Sequence, residues 1–222
     1  MANKRFTEQM HAYGQWKEDL VVGINDYQKW LDANEMANPE DELRIYESIN
    51  SLRSDKLTIA FVAEFARGKT ELINAIFFSE YDRRLLPSEA GRTTMCPTEL
   101  FYDAEHQHAY IRLLPIETRL NETSISDYKA DPIHWSSLEL DLDNPDNMAD
   151  AFQEIVKVKM VSRDEAKKLG LYDESDTHLN NPDGSPPEQI EIPMWRHALI
   201  SFPHPLLKQG LVILDTPGLN AL

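Results

Sequence analysis

The stretch AEFARGKTEL, residues 63–72, constrains the fold of this chain more than any other, because it joins an apolar run to a helical pattern. The run KLTIAFV before it has the length and β-branched content of a strand, so we predict a buried strand over 56–63. A helix is predicted over 69–80. A strand, a glycine-containing turn and a helix, in this order, build a loop whose backbone N–H groups hold a phosphate.

The loop follows the pattern G-x-x-x-x-G-K-[ST] except at its first position, where Ala63 replaces glycine. Alanine resists a positive φ, so the turn needs another backbone shape or carries strain. Lys69 would reach the β- and γ-phosphates, and the Thr70 hydroxyl would bind Mg²⁺. The alternative is a chance Gly-Lys-Thr at an ordinary strand–helix turn. The candidate nucleotide-binding residues of the loop are Glu64, Phe65, Ala66, Arg67, Gly68, Lys69, Thr70 and Glu71.

A second motif, LVILDTPGL, follows the loop at residues 211–219 and makes the chance alternative much weaker. It places Asp215 at the end of an apolar strand, where a carboxylate can bind the magnesium ion through water. Gly218 would give its backbone N–H to the γ-phosphate. Together the two motifs predict a nucleotide site with Mg²⁺ as its cofactor.

A third motif, GRTTMCPTEL, supplies hydroxyl groups between the other two. A phosphate switch needs a hydroxyl on a mobile loop that closes on the magnesium ion. Thr93 and Thr94 are both candidates for it. Two surface threonines in a loop are the alternative.

These three motifs, in this order, resemble the GTPase domain of the dynamin superfamily, and in particular bacterial dynamin-like proteins. The similar runs are KLTIAFVAEFARGKTELINAIF, LLPSEAGRTTMCPTEL and QGLVILDTPGLN, and the resemblance covers roughly 57–116 and 195–222. It implies GTP and GDP as ligands, hydrolysis of GTP, and self-association through the GTPase domain. It also implies membrane remodelling, with any membrane contact made by regions outside this chain.

The resemblance assigns roles at single positions. The family's switch motif aligns with Gly91, Thr94 and Pro97, which selects Thr94 for the metal and the attacking water, with Thr93 in reserve. Lys69 and Thr94 are thus expected to be catalytic, and Thr70, Thr94 and Asp215 to hold the metal. Eukaryotic dynamins have Gln and Ser where this chain has Phe65 and Ala66, which cannot position water. Arg67 could stabilise the transferring phosphoryl group instead; a solvated side chain is the alternative.

The rest of the chain predicts an α/β fold with a sheet flanked by helices, preceded by a helical hairpin. We expect an N-terminal helical segment at 1–55 and a partial GTPase domain at 56–222, with an insertion at about 118–191. Within the insertion we predict a helix over 146–170 and a mobile segment over 173–188. The base-reading motif of the family does not follow Gly218, so we expect an N-terminal part of a larger protein, and guanine preference rests on resemblance.

The apolar positions predict which helix faces are buried and which strands pair. Helix 4–36 carries Phe6, Met10, Tyr13, Leu20, Ile24, Tyr27 and Leu31, and the helix after Pro39 carries Leu43, Tyr46, Ile49 and Leu52. In the helix over 69–80 the inward residues are Leu72, Ile73, Ile76 and Phe77. TELFYD and HAYIRLLPI are predicted as two strands around a turn, and HALISFP and LVILDTPGL as another strand pair.

Composition narrows the class of partner. The net charge of −16 argues against nucleic acid and against electrostatic docking on anionic lipid. The N-terminus lacks the apolar core of a signal peptide and there is one cysteine, so we expect a cytoplasmic protein, with peripheral contact at the inner membrane as an extension of that expectation. His106 and His108 are expected in an exposed turn, with a metal site as the alternative.

Three alternatives to a GTPase remain open from the sequence. The chain could be an ATPase, a nucleotide-binding scaffold with little or no hydrolysis, or an interaction module that acts through its N-terminal helices. Ala63, Phe65 and Ala66 favour the scaffold, whereas intact Lys69 and Asp215 argue against it.

Overall fold

The computed structural model describes residues 2–54, 56–62, 64, 68–81, 84–87, 96–106, 108–175, 181, 183 and 185–217. The chain divides into two compact units. One comprises Met1–Leu57 with Pro205–Leu211, and the other comprises Thr58–His204 with Val212–Leu222. Across the described residues, no helix is both long and apolar enough to cross a lipid bilayer.

The first unit contains the two predicted N-terminal helices, α1 (Ala2–Ala33) and α2 (Pro39–Ser54). Helix α2 begins where Pro39 supplies a preset φ at the first helical position. The Asn38 side chain accepts a hydrogen bond from the Asp41 N–H at 2.9 Å, which satisfies one of the free donors of the first turn. Both helices are therefore confirmed, and local capping explains where the second begins.

The buried faces of these helices agree with the predicted ones in part: Met10, Leu31 and Ile49 are buried as predicted. The cluster between α1 and α2 is formed by Val21, Leu31, Ile45 and Ile49, with Ile24 and Leu52 packed against it. Tyr13, Leu20 and Tyr27 are exposed on α1, as are Leu43 and Tyr46 on α2. Helix α1 has two apolar rows, and periodicity alone cannot tell which row a partner covers.

The remaining strands and helices have the following bounds. The strands are β1 (Leu57–Phe61), β2 (Thr98–Phe101), β3 (Tyr110–Pro115), β4 (Ser136–Glu139), β5 (Val158–Ser162), β6 (Gln189–Pro193), β7 (Trp195–Ser201) and β8 (Leu211–Asp215). The helices are α3 (Lys69–Phe77), α4 (Ile125–Ala130), α5 (Pro145–Gln153), α6 (Arg163–Lys168) and α7 (Pro205–Lys208). Short 3₁₀ helices cover Ser79–Tyr81, Ile116–Leu120, Pro132–His134 and Glu154–Val156.

Six strands form the main sheet in the order β1-β8-β2-β7-β3-β4, and β5 and β6 form a separate antiparallel pair. The four central strands were predicted, but the predicted pairing of β7 with β8 is wrong, and β2 and β3, predicted around one turn, are not neighbours in the sheet. Strand β7 lies between β2 and β3, pairing parallel to the first and antiparallel to the second, and β2 lies between β7 and β8. This interleaving places Thr98 opposite Asp215, so the strand that follows the predicted switch loop borders the strand that ends at the aspartate.

Helices pack on this sheet, as an α/β fold requires. Leu114 and Leu199 of the sheet pack against Tyr128 of α4 and against Trp135. A second aromatic group centres on Phe78, whose ring meets Phe152 of α5 edge-on at 5.5 Å. The predicted fold class, a sheet flanked by helices, is confirmed.

The helix predicted over 146–170 is wrong, because a strand interrupts it. Helix α5 ends at Gln153. Strand β5 follows it in the sequence and pairs with β6, and α6 begins only after β5. The run IVKVKMVS is rich in β-branched residues, which fit a pleated sheet better than a helix interior. Asn144 caps the N-terminus of α5, and Gly170, at φ 66°, follows the end of α6. The segment 173–188, predicted to be mobile, lies partly outside the described residues.

The prediction that the first strand is buried is also wrong. Strand β1 lies at the edge of the sheet, and Leu57 and Ile59 are 44% and 36% exposed. In α3 the buried side chains are Ile73, Asn74 and Phe77, whereas Leu72 and Ile76, both predicted to face inward, are exposed. A strand with an apolar sequence is buried only where further elements cover it.

Candidate nucleotide-binding site

Gly68 forms the turn at which α3 begins. Its φ is 77° and its ψ is 20°, a left-handed conformation that glycine adopts without strain. Apart from its chain neighbours, none of the described residues has a heavy atom within 4 Å of where a Cβ would be, so the backbone shape favours glycine here. The Gly68 carbonyl accepts the Leu72 N–H at 3.0 Å and closes the first helical turn. The N–H groups in the first turn of a helix and the helix dipole favour an anion.

Thr70 in the first turn of α3 contacts Asp215 at the end of β8. The Thr70 hydroxyl donates a hydrogen bond to Asp215 Oδ2 at 2.9 Å. The two residues belong to different motifs and lie 145 positions apart in the sequence. The fold therefore brings together two of the three residues predicted to hold the metal. Lys69 lies close enough for its positive charge to act on the same carboxylate.

The Asp215 carboxylate is buried and only partly compensated. It is 2% exposed, and Oδ1 has no hydrogen-bond partner among the described residues. Burial raises the pKa of Asp215, while the Thr70 hydrogen bond and the Lys69 charge lower it by less. An anionic oxygen in such surroundings is a good ligand for a hard divalent cation, and a threonine hydroxyl beside it supplies a second oxygen. The residues present therefore fit Mg²⁺.

Side-chain hydrogen bonds hold the backbone on both sides of this contact. The Thr216 hydroxyl donates to the Phe61 carbonyl at 2.9 Å, which ties the residue after Asp215 to the end of β1. On the neighbouring strand the buried Thr98 hydroxyl donates to the Cys96 carbonyl at 3.2 Å. The ends of β1, β2 and β8 are thereby fixed next to the aspartate.

Asn74 is a supporting residue that the motifs did not reveal. Its amide nitrogen donates to the Leu86 carbonyl at 2.8 Å, and its amide oxygen accepts the Leu86 N–H at 2.9 Å. Asn74 is 6% exposed and lies one turn after Thr70, so it fixes the chain just before the predicted switch loop. A polar residue on the apolar face of a helix was the available signal, because buried amides are kept only where they are hydrogen-bonded.

Of the other predicted site residues, the structure describes Glu64 and Glu71. Glu64 is exposed, and Glu71 pairs with Arg84 at 3.2 Å between the guanidinium Nε and a carboxylate oxygen. Phe65, Ala66 and Arg67 lie outside the described residues, as do Thr93, Thr94 and Gly218. The structure thus brings together Gly68, Lys69, Thr70 and Asp215.

Comparisons with known proteins add a family to this geometry. The profile of the Dynamin family matches residues 59–222. A comparison with curated proteins found no match. Two chains of solved structures are similar at 16% sequence identity; one covers 96% of this chain and 25% of its own, with a TM-score of 0.45. The other covers 94% of this chain and 29% of its own, with a TM-score of 0.41.

Both solved structures are of an oligomerised bacterial dynamin pair, described as providing a mechanism for the long-range sensing and tethering of membranes. The present chain spans about a quarter of the length of the first of them. The family match is independent of these structures and covers well over half of the chain, including both motifs that meet at Thr70 and Asp215. This chain therefore belongs to the dynamin family, whose profile covers residues 59–222.

Proposed function

We propose that this chain supports Mg²⁺-dependent binding and hydrolysis of GTP. The observation that carries the proposal is the contact of Thr70 with the buried Asp215 carboxylate, whose second oxygen has no partner among the described residues. A buried carboxylate kept beside a hydroxyl costs stability, so its presence at a helix N-terminus favours a role with a cation and a phosphate.

The chain's own residues divide the work between binding and charge compensation. The turn at Gly68 presents backbone N–H groups to the phosphates, and Lys69 adds a positive charge beside the transferring phosphoryl group. Thr70 and Asp215 would hold Mg²⁺, which, when bound, neutralises charge that develops on the phosphate oxygens. Glu64, Phe65, Ala66 and Glu71 complete the loop and its helix around the nucleotide.

Three further roles rest on the resemblance and on sequence position. Thr94 would position the attacking water and add a metal ligand when the switch loop closes. Arg67 would stabilise the transition state in place of the missing Gln and Ser, and Gly218 would give its N–H to the γ-phosphate. Loop closure around the γ-phosphate would let the protein distinguish GTP from GDP.

The wider organisation is part of the same proposal. Residues 1–55 form a bundle-type helical element, and 56–222 form a partial GTPase domain with an insertion at about 118–191. Self-association through the GTPase domain would couple hydrolysis to membrane remodelling from the cytoplasmic side, with membrane contact made outside this chain. The net charge of −16 is the reason that nucleic acid is not proposed as a partner.

The test is phosphate release from GTP and from ATP by the complete protein, with and without Mg²⁺. We expect GTP-selective, Mg²⁺-dependent turnover that Lys69→Ala reduces by at least about 100-fold, because the lysine compensates charge in the transition state. A matched control is Lys29→Ala, which removes an exposed lysine on α1 that pairs only locally with Asp26. That variant should retain wild-type turnover.

The outcomes separate the remaining alternatives. ATP-selective turnover would identify an ATPase. GTP binding without turnover would identify a nucleotide-binding scaffold, in which the altered loop holds the nucleotide but does not position water. Equal turnover in Lys69→Ala and the wild type would contradict the proposed site.

One observation favours a second function, an interaction module in the N-terminal helices. Helix α1 exposes two stacked aromatic pairs, Tyr13 with Trp16 at 5.9 Å and Tyr27 with Trp30 at 6.3 Å between ring centroids. Both tryptophans are more than half exposed, at 55% and 51%, and exposed aromatic rows of this kind mark interaction surfaces. Deletion of 1–55 should abolish assembly of the complete protein if this function is correct; unchanged assembly would exclude it.

A further inference from the structure

The segment that joins β2 to β3 holds two histidines in fixed orientations. Asp103 Oδ2 accepts hydrogen bonds from the Tyr110 hydroxyl at 2.6 Å and from His106 Nδ1 at 2.8 Å. Asp103 Oδ1 accepts the N–H groups of Glu105 and His106. His108 Nδ1 lies 2.9 Å from the His106 carbonyl oxygen. One carboxylate and one carbonyl therefore determine how both imidazoles are presented.

These contacts also determine which ring nitrogen carries the proton. The Asp103 carboxylate accepts the Tyr110 hydroxyl and two backbone N–H groups, and an ionised carboxylate can only accept. A carbonyl oxygen likewise accepts and cannot donate. Nδ1 must therefore be the donor in both His106 and His108. Each neutral ring then presents a bare lone pair at Nε2.

The two rings are close enough to share one ion. Their centroids are 5.8 Å apart, at an interplanar angle of 84°. Two imidazoles on one tetrahedral zinc, with Zn–N bonds of about 2.0–2.1 Å, have centroids roughly 5–6 Å apart. His106 is 49% exposed, and His108 is exposed as well, so an ion can reach both from solvent.

We propose that His106 and His108 form a two-histidine site for a late first-row divalent metal ion of the zinc type, bound through Nε2 of each ring. Metal-bound histidines usually donate their other nitrogen to a carboxylate or a carbonyl, and Asp103 and the His106 carbonyl already fill those positions. Imidazole ligands favour zinc-type ions over magnesium, so this site is chemically distinct from the one at Thr70 and Asp215.

The site has two protein ligands, and water completes the coordination. The described residues contain no group of three or more His, Cys, Asp and Glu side chains that could hold a metal. Asp103 acts as a positioning residue because both of its oxygens are already engaged by the chain. An open coordination sphere makes the binding reversible and leaves positions for an exogenous ligand.

The first test is a calorimetric titration of the protein with Zn²⁺ in excess Mg²⁺, which occupies oxygen sites first. We expect one saturable Zn²⁺ site per chain, with affinity lowered at least about tenfold in His106→Ala and in His108→Ala. The matched control is His134→Ala, which removes an exposed histidine that also faces an aspartate, with its Nε2 3.6 Å from Asp131, but whose neighbouring ring is the Tyr128 phenol and not an imidazole. That variant should bind Zn²⁺ like the wild type. Unchanged affinity in both single variants would overturn the proposal.

A second measurement identifies directly which ring nitrogen of each histidine carries the proton. Long-range ¹H–¹⁵N NMR spectra of the metal-free protein should show the Nδ1–H tautomer for both His106 and His108, and Zn²⁺ should shift the Nε2 resonances of these two rings selectively. Asp103→Asn should weaken Zn²⁺ binding about 10–100-fold, as loss of outer-shell partners commonly does. The Nε2–H tautomer in either ring, or Zn²⁺ shifts spread over other histidines, would refute the site.

Discussion

Asp215 is the residue at which the proposed function and the stability of the fold oppose each other most directly. Its carboxylate is 2% exposed, and burial raises its pKa, so the folded protein holds the charged form at a cost. Thr70 and Lys69 compensate part of that cost. A bound cation would compensate the rest, which is why the site should be more stable when loaded than when empty.

The first prediction is that Asp215→Asn stabilises the metal-free and nucleotide-free protein at neutral pH. Because the pKa of Asp215 is raised in the folded state, its negative charge destabilises the folded protein at pH values above that pKa. This destabilisation disappears as the pH falls through the pKa and the carboxylate is protonated. Thermal unfolding should therefore show a higher midpoint for the variant at neutral pH and a difference that shrinks on acidification. Mg²⁺-dependent nucleotide binding should be lost in the same variant.

A matched control for this prediction is Glu71→Gln. Glu71 belongs to the same helix turn, but its side chain is 41% exposed and pairs with Arg84, so its charge is solvated. Its unfolding midpoint should change little with pH relative to the wild type. A lower neutral-pH midpoint for Asp215→Asn than for the wild type would contradict the proposed cost of the buried charge.

The second prediction concerns Gly68, whose φ of 77° disfavours any residue with a Cβ. Gly68→Ala should destabilise the protein by about 1 kcal/mol through backbone strain. Gly14→Ala is the control, because Gly14 lies inside α1 with nothing within 4 Å of the position that a Cβ would take, and there alanine should stabilise by roughly 0.5–1 kcal/mol. Denaturant unfolding distinguishes the two; changes of the same sign would exclude the conformational explanation.

At the scale of secondary-structure elements, an ion pair between an exposed lysine and a partly buried glutamate connects α4 to the sheet. Lys129 of α4 pairs with Glu99 of β2, whose side chain is 19% exposed, and His197 Nε2 lies 3.7 Å from the same carboxylate oxygen. That distance is too long for a hydrogen bond, and the nitrogen is buried without a partner among the described residues. Burial alone would raise the pKa of Glu99, but Lys129 and His197 lower it to about 2. Glu99 thus stabilises the fold above its unfolded pKa.

The third prediction is that Lys129→Met destabilises the protein by about 1–3 kcal/mol, because it leaves a partly buried carboxylate unpaired. The double variant Glu99→Gln with Lys129→Met should recover most of the loss, since both partners are then neutral. A double-mutant cycle in denaturant gives the coupling. The stabilisation from Glu99 should disappear as the pH falls towards 2. Additive single effects would show that the pair does not fasten α4.

Elements also show what the sequence could and could not predict. The loop, the strand ending at Asp215 and both N-terminal helices were predictable because capping, turn and apolar patterns act within a few residues. The contact between Thr70 and Asp215 followed from the order of the motifs. The strand order was not predictable, because β7 inserts between β2 and β3 through pairings distant in sequence. The role of Asn74 was missed because its hydrogen-bond partner, Leu86, lies in a loop that no motif identifies.

The strand inside 146–170 shows a second limit of sequence interpretation. Asp164, Glu165, Lys167 and Lys168 favour a helix locally, and α6 does form there. The preceding run becomes β5 because β6, about 30 residues later, supplies its hydrogen bonds, with Val161 opposite Ile190. Tertiary pairing overrides local preference wherever a partner strand is available.

At the scale of the whole molecule, the net charge of −16 opposes the binding of a nucleoside triphosphate, which is itself an anion. The long-range field of the chain repels an anion, so affinity at the proposed site would come from Lys69, from the N-terminus of α3 and from a cation held at Asp215. The fourth prediction is that nucleotide binding weakens strongly when Mg²⁺ is chelated. Added monovalent salt should partly restore the association rate, because it screens the repulsion. A salt-independent association rate would show that the overall charge plays no part.

The fifth prediction concerns self-association, which the net negative charge of the chain also affects. Turnover of GTP per molecule should rise with the concentration of the complete protein, because assembly through the GTPase domain would position the groups that Phe65 and Ala66 do not supply. If repulsion between acidic copies limits assembly, the concentration at half-maximal turnover should decrease as ionic strength increases. The measurement is phosphate release across a protein dilution series at low and moderate salt, beside light scattering to follow assembly. Lys69→Ala should assemble without turnover, which separates assembly from chemistry. A rate per molecule that stays constant over the whole dilution series would mean that one copy carries all the groups needed for its slow hydrolysis.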